Sequence, residues 1–146
     1  MTTRAIDLTV RDTQWDEAGK PHSGSTRVRA ALGMRADDPC IAYAEHLPEA
    51  GDTQVRVYMR ADCVQIQRDG AYGALLTFRE GTREATRYHT PYGALDMVAE
   101  AQIAAWALTD GGGTLTLRYT LWLGGGAASR HAIDMTWRRV TEDGDV

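Results

Sequence analysis

Leu115, Leu117, Tyr119, Leu121 and Leu123 are apolar, and the intervening Thr116, Arg118 and Thr120 are polar. This period of two is the signature of a strand buried on one face. After Gly124-Gly125-Gly126 the pattern resumes with Ile133, Met135 and Trp137 set against Asp134, Thr136 and Arg138. The stretch Thr114 to Trp137 therefore predicts an antiparallel hairpin.

The same alternation recurs along most of the chain. Ile6, Leu8 and Val10 form one file, and Val28, Ala30, Leu32 and Met34 a second, opposed by Arg27 and Arg29. Ile41, Tyr43 and Glu45 share a face, as do Val55, Val57 and Met59, then Val64 and Ile66, then Ala74, Leu76 and Phe78. Thr86, Tyr88, Thr90 and Tyr92 oppose Ala85, Arg87 and His89. Asp37-Asp38-Pro39, Ala61-Asp62 and Glu80-Gly81 read as turns, Leu47 to Asp52 as a connection, and Asp69-Gly70 as a two-residue hairpin turn, since that dipeptide tolerates positive φ.

Two segments depart from this order. Thr13 to Ser25 is polar and holds Gly19, Pro21 and Gly24, so it reads as a long surface loop in which Trp15 either closes an opening or covers core. Thr90 to Leu108 supports two readings. As a helix it has Thr90 as N-cap, Pro91 at the first position, an Ala-rich body and Gly111 to Gly113 beyond its end. As a strand it directs Leu95, Met97, Ala99 and Ala101 to one face. Local sequence leaves both open.

A chain of 146 residues suits one domain with a single core. Its net charge is -4, and its sixteen basic residues are dispersed among twenty acidic ones, which argues against a nucleic-acid surface. No apolar run approaches the ~20 residues needed to cross a bilayer, and the polar start lacks the apolar centre of a signal peptide. A soluble cytoplasmic protein is the expectation. Cys40 and Cys63 are expected as reduced thiols, and His22, His46, His89 and His131 have no metal-ligand spacing, so neither metal nor cofactor is predicted.

Four strings stand out: Val64-x-Ile66-x-Arg68-x-Gly70, Phe78 with Glu80-Gly81, Tyr88-x-Thr90-Pro91-Tyr92-Gly93-x-Leu95, and Leu115-x-Leu117-x-Tyr119-x-Leu121 before Ile133. Together they resemble the YwiB-like family of uncharacterised bacterial proteins. The resemblance runs from about Ile6 to Trp137, and the Tyr-x-Thr-Pro-Tyr-Gly string is its most specific part. It implies an all-β, single antiparallel closed barrel of calycin-like, lipocalin-like type, with Tyr92 to Ala101 as strand despite its helical composition. For Gln102 to Leu108 a bend or short helical turn stays open. The family brings no established activity.

Such a barrel is either filled by its side chains or holds one small ligand. Alternation directs Glu45, Arg68, Tyr88, Thr90 and Tyr119 inward from several strands. These are either an internal Arg68–Glu45 ion pair with hydroxyls completing its hydrogen bonds, or convergent groups that orient a ligand. Ser23, Ser25 and Ser129 fall in expected loops without a nucleophile motif, and the glycine triplets lack the lysine of a phosphate loop, so no catalytic residue is assigned. The expectation is non-enzymatic binding of a small, partly apolar ligand inside the barrel. The alternative is a filled barrel serving protein–protein contacts through outward aromatics such as Tyr58 and Trp122.

Overall fold

The computed structural model describes residues 2–47, 51–124, 126 and 128–140. The alternating files become ten strands: β1 (Thr3–Trp15), β2 (Pro21–Arg35), β3 (Asp38–Leu47), β4 (Gly51–Met59), β5 (Val64–Asp69), β6 (Ala74–Phe78), β7 (Arg83–Thr90), β8 (Gly93–Thr109), β9 (Gly112–Leu123) and β10 (Ala128–Arg139). They form one antiparallel sheet in the order β6-β5-β4-β3-β2-β1-β10-β9-β8-β7. The sheet curls until its two edges meet. Gly73 bridges His89, Glu80 bridges Ala101, and the result is a nearly closed barrel.

Register places the apolar files opposite one another. Leu115 lies across from Met135, Leu117 from Ile133, Leu8 from Trp137, and Val57 from both Ile41 and Ile66. These side chains point inward and are buried together with Ile6, Met59, Val64 and Phe78, so the middle of the barrel is filled. Such burial contributes about 1.5 to 3 kcal/mol for each large side chain and is the main force holding the curl.

The long strands β1 and β2 correct the expected loop at Thr13 to Ser25. Pairing continues from Thr3–Gly33 to Trp15–Pro21, leaving only Asp16 to Lys20 as the turn. There Asp16 Oδ1 accepts the backbone N–H groups of Ala18 and Lys20, and Gly19 takes a φ of 80°. The hairpin tip is exposed, so its residues have no apolar face to reveal a strand in sequence. Trp15 neither closes the barrel nor covers its core; it faces outward under the Arg130 guanidinium, 4.9 Å from its ring centre.

The contested stretch is strand β8. Its register against β9 shifts between Ala101 and Ile103, a bulge at Gln102 that moves the inward face from Met97, Ala99 and Ala101 to Ala104, Trp106 and Leu108. That change of phase explains why no single periodicity fitted it. Gly112 and Gly113 open strand β9, and glycine at 113 leaves room for the Trp137 indole, with which a Cβ there would collide.

Two further turns differ from expectation. Asp69-Gly70 does not close a two-residue hairpin: Gly70 lacks positive φ, and the connection runs from Gly70 to Gly73. Tyr92 belongs to the β7–β8 turn, 92% exposed, and not to the face of Tyr88. The connection expected at Leu47 to Asp52 is shorter, since Leu47 pairs with Gly51 and Asp52 with His46 in strand; residues 48–50, and residue 125 of the turn expected at Gly124 to Gly126, lie outside the described residues.

Cys40 and Cys63 are free and buried, and burial pushes both thiols up from their ordinary pKa.

Leu117 is fully buried and central, whereas Thr116 beside it faces out. Leu117→Ala should destabilise the barrel by about 2 to 4 kcal/mol, from lost transfer energy and the cavity left behind. Thr116→Ala should cost much less. Urea melts of the two variants check the difference, and equal losses would contradict this assignment of faces.

Candidate functional site

Followed from one end of the barrel to the other, the inward files change from apolar to polar. On β1 the file Ile6, Leu8, Val10 continues to Asp12, and on β3 Ile41 and Tyr43 lead to Glu45. On β5 Val64 and Ile66 lead to Arg68, on β9 Leu115 and Leu117 lead to Tyr119, and on β10 Met135 and Ile133 lead back to His131. Register brings these ends together: Arg68 lies opposite Val55, Glu45 opposite Thr53, and His131 opposite Tyr119. One end of the barrel is therefore lined by charge and hydroxyl groups above an apolar floor.

Arg68 and Glu45 do meet there, with Nε and Oε1 3.6 Å apart. Their side chains are 32% and 29% exposed, so the pair is reached by water and is not the sealed internal ion pair expected from alternation. At that exposure the pair contributes on the order of 1 kcal/mol or less, since solvent screens it and its geometry is loose. Thr53 beside it is wholly buried, and its hydroxyl has no hydrogen-bond partner among the described residues.

The tyrosines around the pair are strongly perturbed. Burial pushes Tyr43 up to about 12, opposed by the nearby Arg68 charge and reinforced by Glu45 and Asp12. Tyr119 is likewise pushed up to about 12 by burial, with Arg68 lowering and Asp12 raising it. Both phenols are thus neutral donors at physiological pH. Tyr119 packs against Phe78, with ring centres 4.6 Å apart, and stacks on His131 at 5.1 Å. Burial lowers the His131 pKa against the pull of Asp12, so its imidazole is neutral near pH 7.

Ser129, expected in a loop, lies on β10 with its Oγ 2.7 Å from His131 Nε2; Ser23 and Ser25 are likewise in strand. A hydroxyl hydrogen-bonded to a neutral imidazole is half of a nucleophile–base arrangement. Among the described residues no third group hydrogen-bonds the imidazole, and the two side chains are neighbours on one strand face. The contact is accounted for as local. Among the described residues no group of three His, Cys, Asp or Glu is placed to hold a metal.

The remaining expected site residues separate from this cluster. Thr90 is a turn residue: its hydroxyl donates to the Gly93 carbonyl at 2.7 Å and accepts the Tyr92 N–H at 3.1 Å. Tyr88 is half-buried beside Tyr72, with ring centres 6.1 Å apart, at the seam. Of the five residues assigned from sequence, Glu45, Arg68 and Tyr119 converge. Tyr43, Asp12 and His131 were missed. Tyr43 sits two positions before Glu45 and His131 two before Ile133, so their period-two placement was a usable signal, whereas Asp12 was hidden by the mistaken end of the first strand.

Arg68 also lines a second space. Where β6 and β7 fail to form a ladder, the seam opens as a window of about 570 Å³ whose walls include Ala74, Leu75, Thr86, Arg87 and His89. Arg68 thus borders this window, while its side chain reaches Glu45. The outward aromatics pair with arginines: Arg83 lies 4.6 Å over the Trp122 ring, and Arg60 5.7 Å over Tyr58.

The family profile described as "Domain of unknown function (DUF1934)" matches residues 10–135. Among solved structures, the ywiB protein from Bacillus subtilis superposes with a TM-score of 0.85 at 19% identity, covering 95% of this chain and 94% of the other. That likeness establishes a shared fold. No curated protein matches the chain.

The tyrosine shifts carry a sign. Folded pKa values near 12, against 10.0 for an ordinary phenol, mean that the native state holds these protons more tightly. Their stabilising contribution is complete below pH 10 and is lost as pH rises toward 12. Spectrophotometric titration should show two of the six tyrosines ionising late, and Tyr43→Phe and Tyr119→Phe should each remove one. His131 acts oppositely: its lowered pKa stabilises the protein above about 6.5 and that contribution is lost on acidification, so His131→Gln should flatten the fall in stability between pH 7 and 5.

Proposed function

The chain belongs to a family defined as a domain of unknown function, DUF1934, and from the site itself we propose that it is a non-enzymatic binding protein for a small ligand carrying a carboxylate or phosphate. The observation that carries this reading is the position of Arg68. Its guanidinium, a planar five-donor fork, is partly exposed and held to Glu45 by one loose contact of 3.6 Å, and the residue borders an open window of about 570 Å³. The phenol hydroxyls of Tyr43 and Tyr119 make no hydrogen bond among the described residues, and their raised pKa keeps them donors. An anionic group beside Arg68 would gain charge-assisted hydrogen bonds there.

The filled middle of the barrel changes what such a ligand is. Ile66, Leu76, Phe78 and Leu117 occupy the space an apolar body would need, so the ligand bound at this end is small and polar, not partly apolar.

Calorimetric titration with inorganic phosphate and with succinate tests the reading. At least one should bind saturably and raise the melting temperature, and Arg68→Gln should abolish both effects while leaving the unliganded melting temperature nearly unchanged. A double-mutant cycle of Arg68→Gln and Glu45→Gln should give a coupling of about 1 kcal/mol or less. A coupling near the ~3 to 5 kcal/mol typical of breaking a buried pair would assign the pair to the framework instead.

A further inference from the structure

The opposite mouth of the barrel has the reverse character. There a concavity of about 550 Å³ is walled by Ile6, Leu32, Met34, Leu108 and Trp137, with Arg4 and Arg139 at its rim. Met34 and Leu108 are 43% and 46% exposed, an unusual cost for large apolar side chains on the inward files of a strand. Trp137 is buried, and its indole N–H has no partner among the described residues.

Register explains why the two guanidiniums sit together. Arg139 pairs with Ile6 on the adjacent strand, and Arg4 is two residues along β1 from Ile6, so both lie on the inward file as diagonal neighbours. Neither forms an ion pair among the described residues, and no acidic residue lines the concavity. In a protein of net charge -4, this is a local positive rim on an apolar cup.

We propose that this mouth is a second binding site, separate from Arg68, for a single-chain amphiphile with an anionic head. The alkyl chain would cover Leu32, Met34 and Leu108 above the Trp137 floor, and Arg4 and Arg139 would share the head group. The filled barrel centre, including Leu8, Leu115 and Met135, separates the two sites and keeps the chain short.

Dodecanoate below its micellar concentration, titrated calorimetrically into the full chain, tests this. Glu142, Asp143 and Asp145 follow Val140 in sequence, so the titration is repeated with these three changed to Gln, Asn and Asn. Saturable one-to-one binding is expected in at least one of the two proteins. In the protein that binds, Arg4→Gln and Arg139→Gln should each weaken binding about tenfold or more, as should replacing dodecanoate by dodecanol, because each removes a charge-assisted contact. Met34→Glu should abolish binding by placing a carboxylate in the cup, and Arg68→Gln should leave it unchanged. The proposal is overturned by absence of binding in both proteins, by indifference to both arginine variants, by loss in Arg68→Gln, or by binding to phosphatidylglycerol vesicles without binding to the monomeric acid.

Discussion

The pairing of β1 with β10 is the contact on which the rest of the barrel depends. Strands β1 to β6 form one meander and β7 to β10 another, each built from neighbours in sequence, and among the described residues the ladder from Ile6–Arg139 to Trp15–Arg130 is the continuous pairing that joins them. It places Leu8 against Trp137 and Val10 against Met135, so the two inward files become one core. Because the partners lie at opposite ends of the chain, closing this ladder carries the largest loop entropy in the fold, and the burial of Trp137, Met135, Leu8 and Ile6 offsets it.

Joining the meanders leaves the two outer edges, β6 and β7–β8, to face each other. An unpaired edge is a liability, and here it is managed by side chains as well as by the backbone bonds of Gly73 with His89 and of Gly81 with Ala101. Glu80 accepts the Ala104 N–H at 2.9 Å, the Trp106 indole donates to the Arg60 carbonyl at 2.8 Å, and Arg79 reaches Glu84 at 3.0 Å. Between these ties the seam stays open beside Arg68.

The interior divides along the barrel axis, and this division sets the chemistry. The middle is filled by aliphatic and aromatic side chains. One end gathers Arg68, Glu45, Tyr43, Tyr119 and His131 in partial burial, where burial raises both phenols and lowers the imidazole. The other end combines apolar walls with two guanidiniums that form no ion pair among the described residues. The anions proposed for the two ends differ in how much apolar surface they bring.

Much of this architecture was legible in residue order. Period-two files specified nearly every strand and its buried face, because one face of each strand meets a core while the other meets water. They also placed Glu45, Arg68 and Tyr119 on inward faces. Alternation failed where that asymmetry is absent: at the exposed β1–β2 tip, where both faces are wet, and at Gln102, where a bulge exchanges the faces of β8. What only the tertiary structure decided is which inward residues meet, and in what surroundings. Thr90 left the set because a turn claims its hydroxyl, Asp12 and His131 entered it through pairings far apart in sequence, and Arg68 and Glu45, on strands separated by β4, meet while still reached by water.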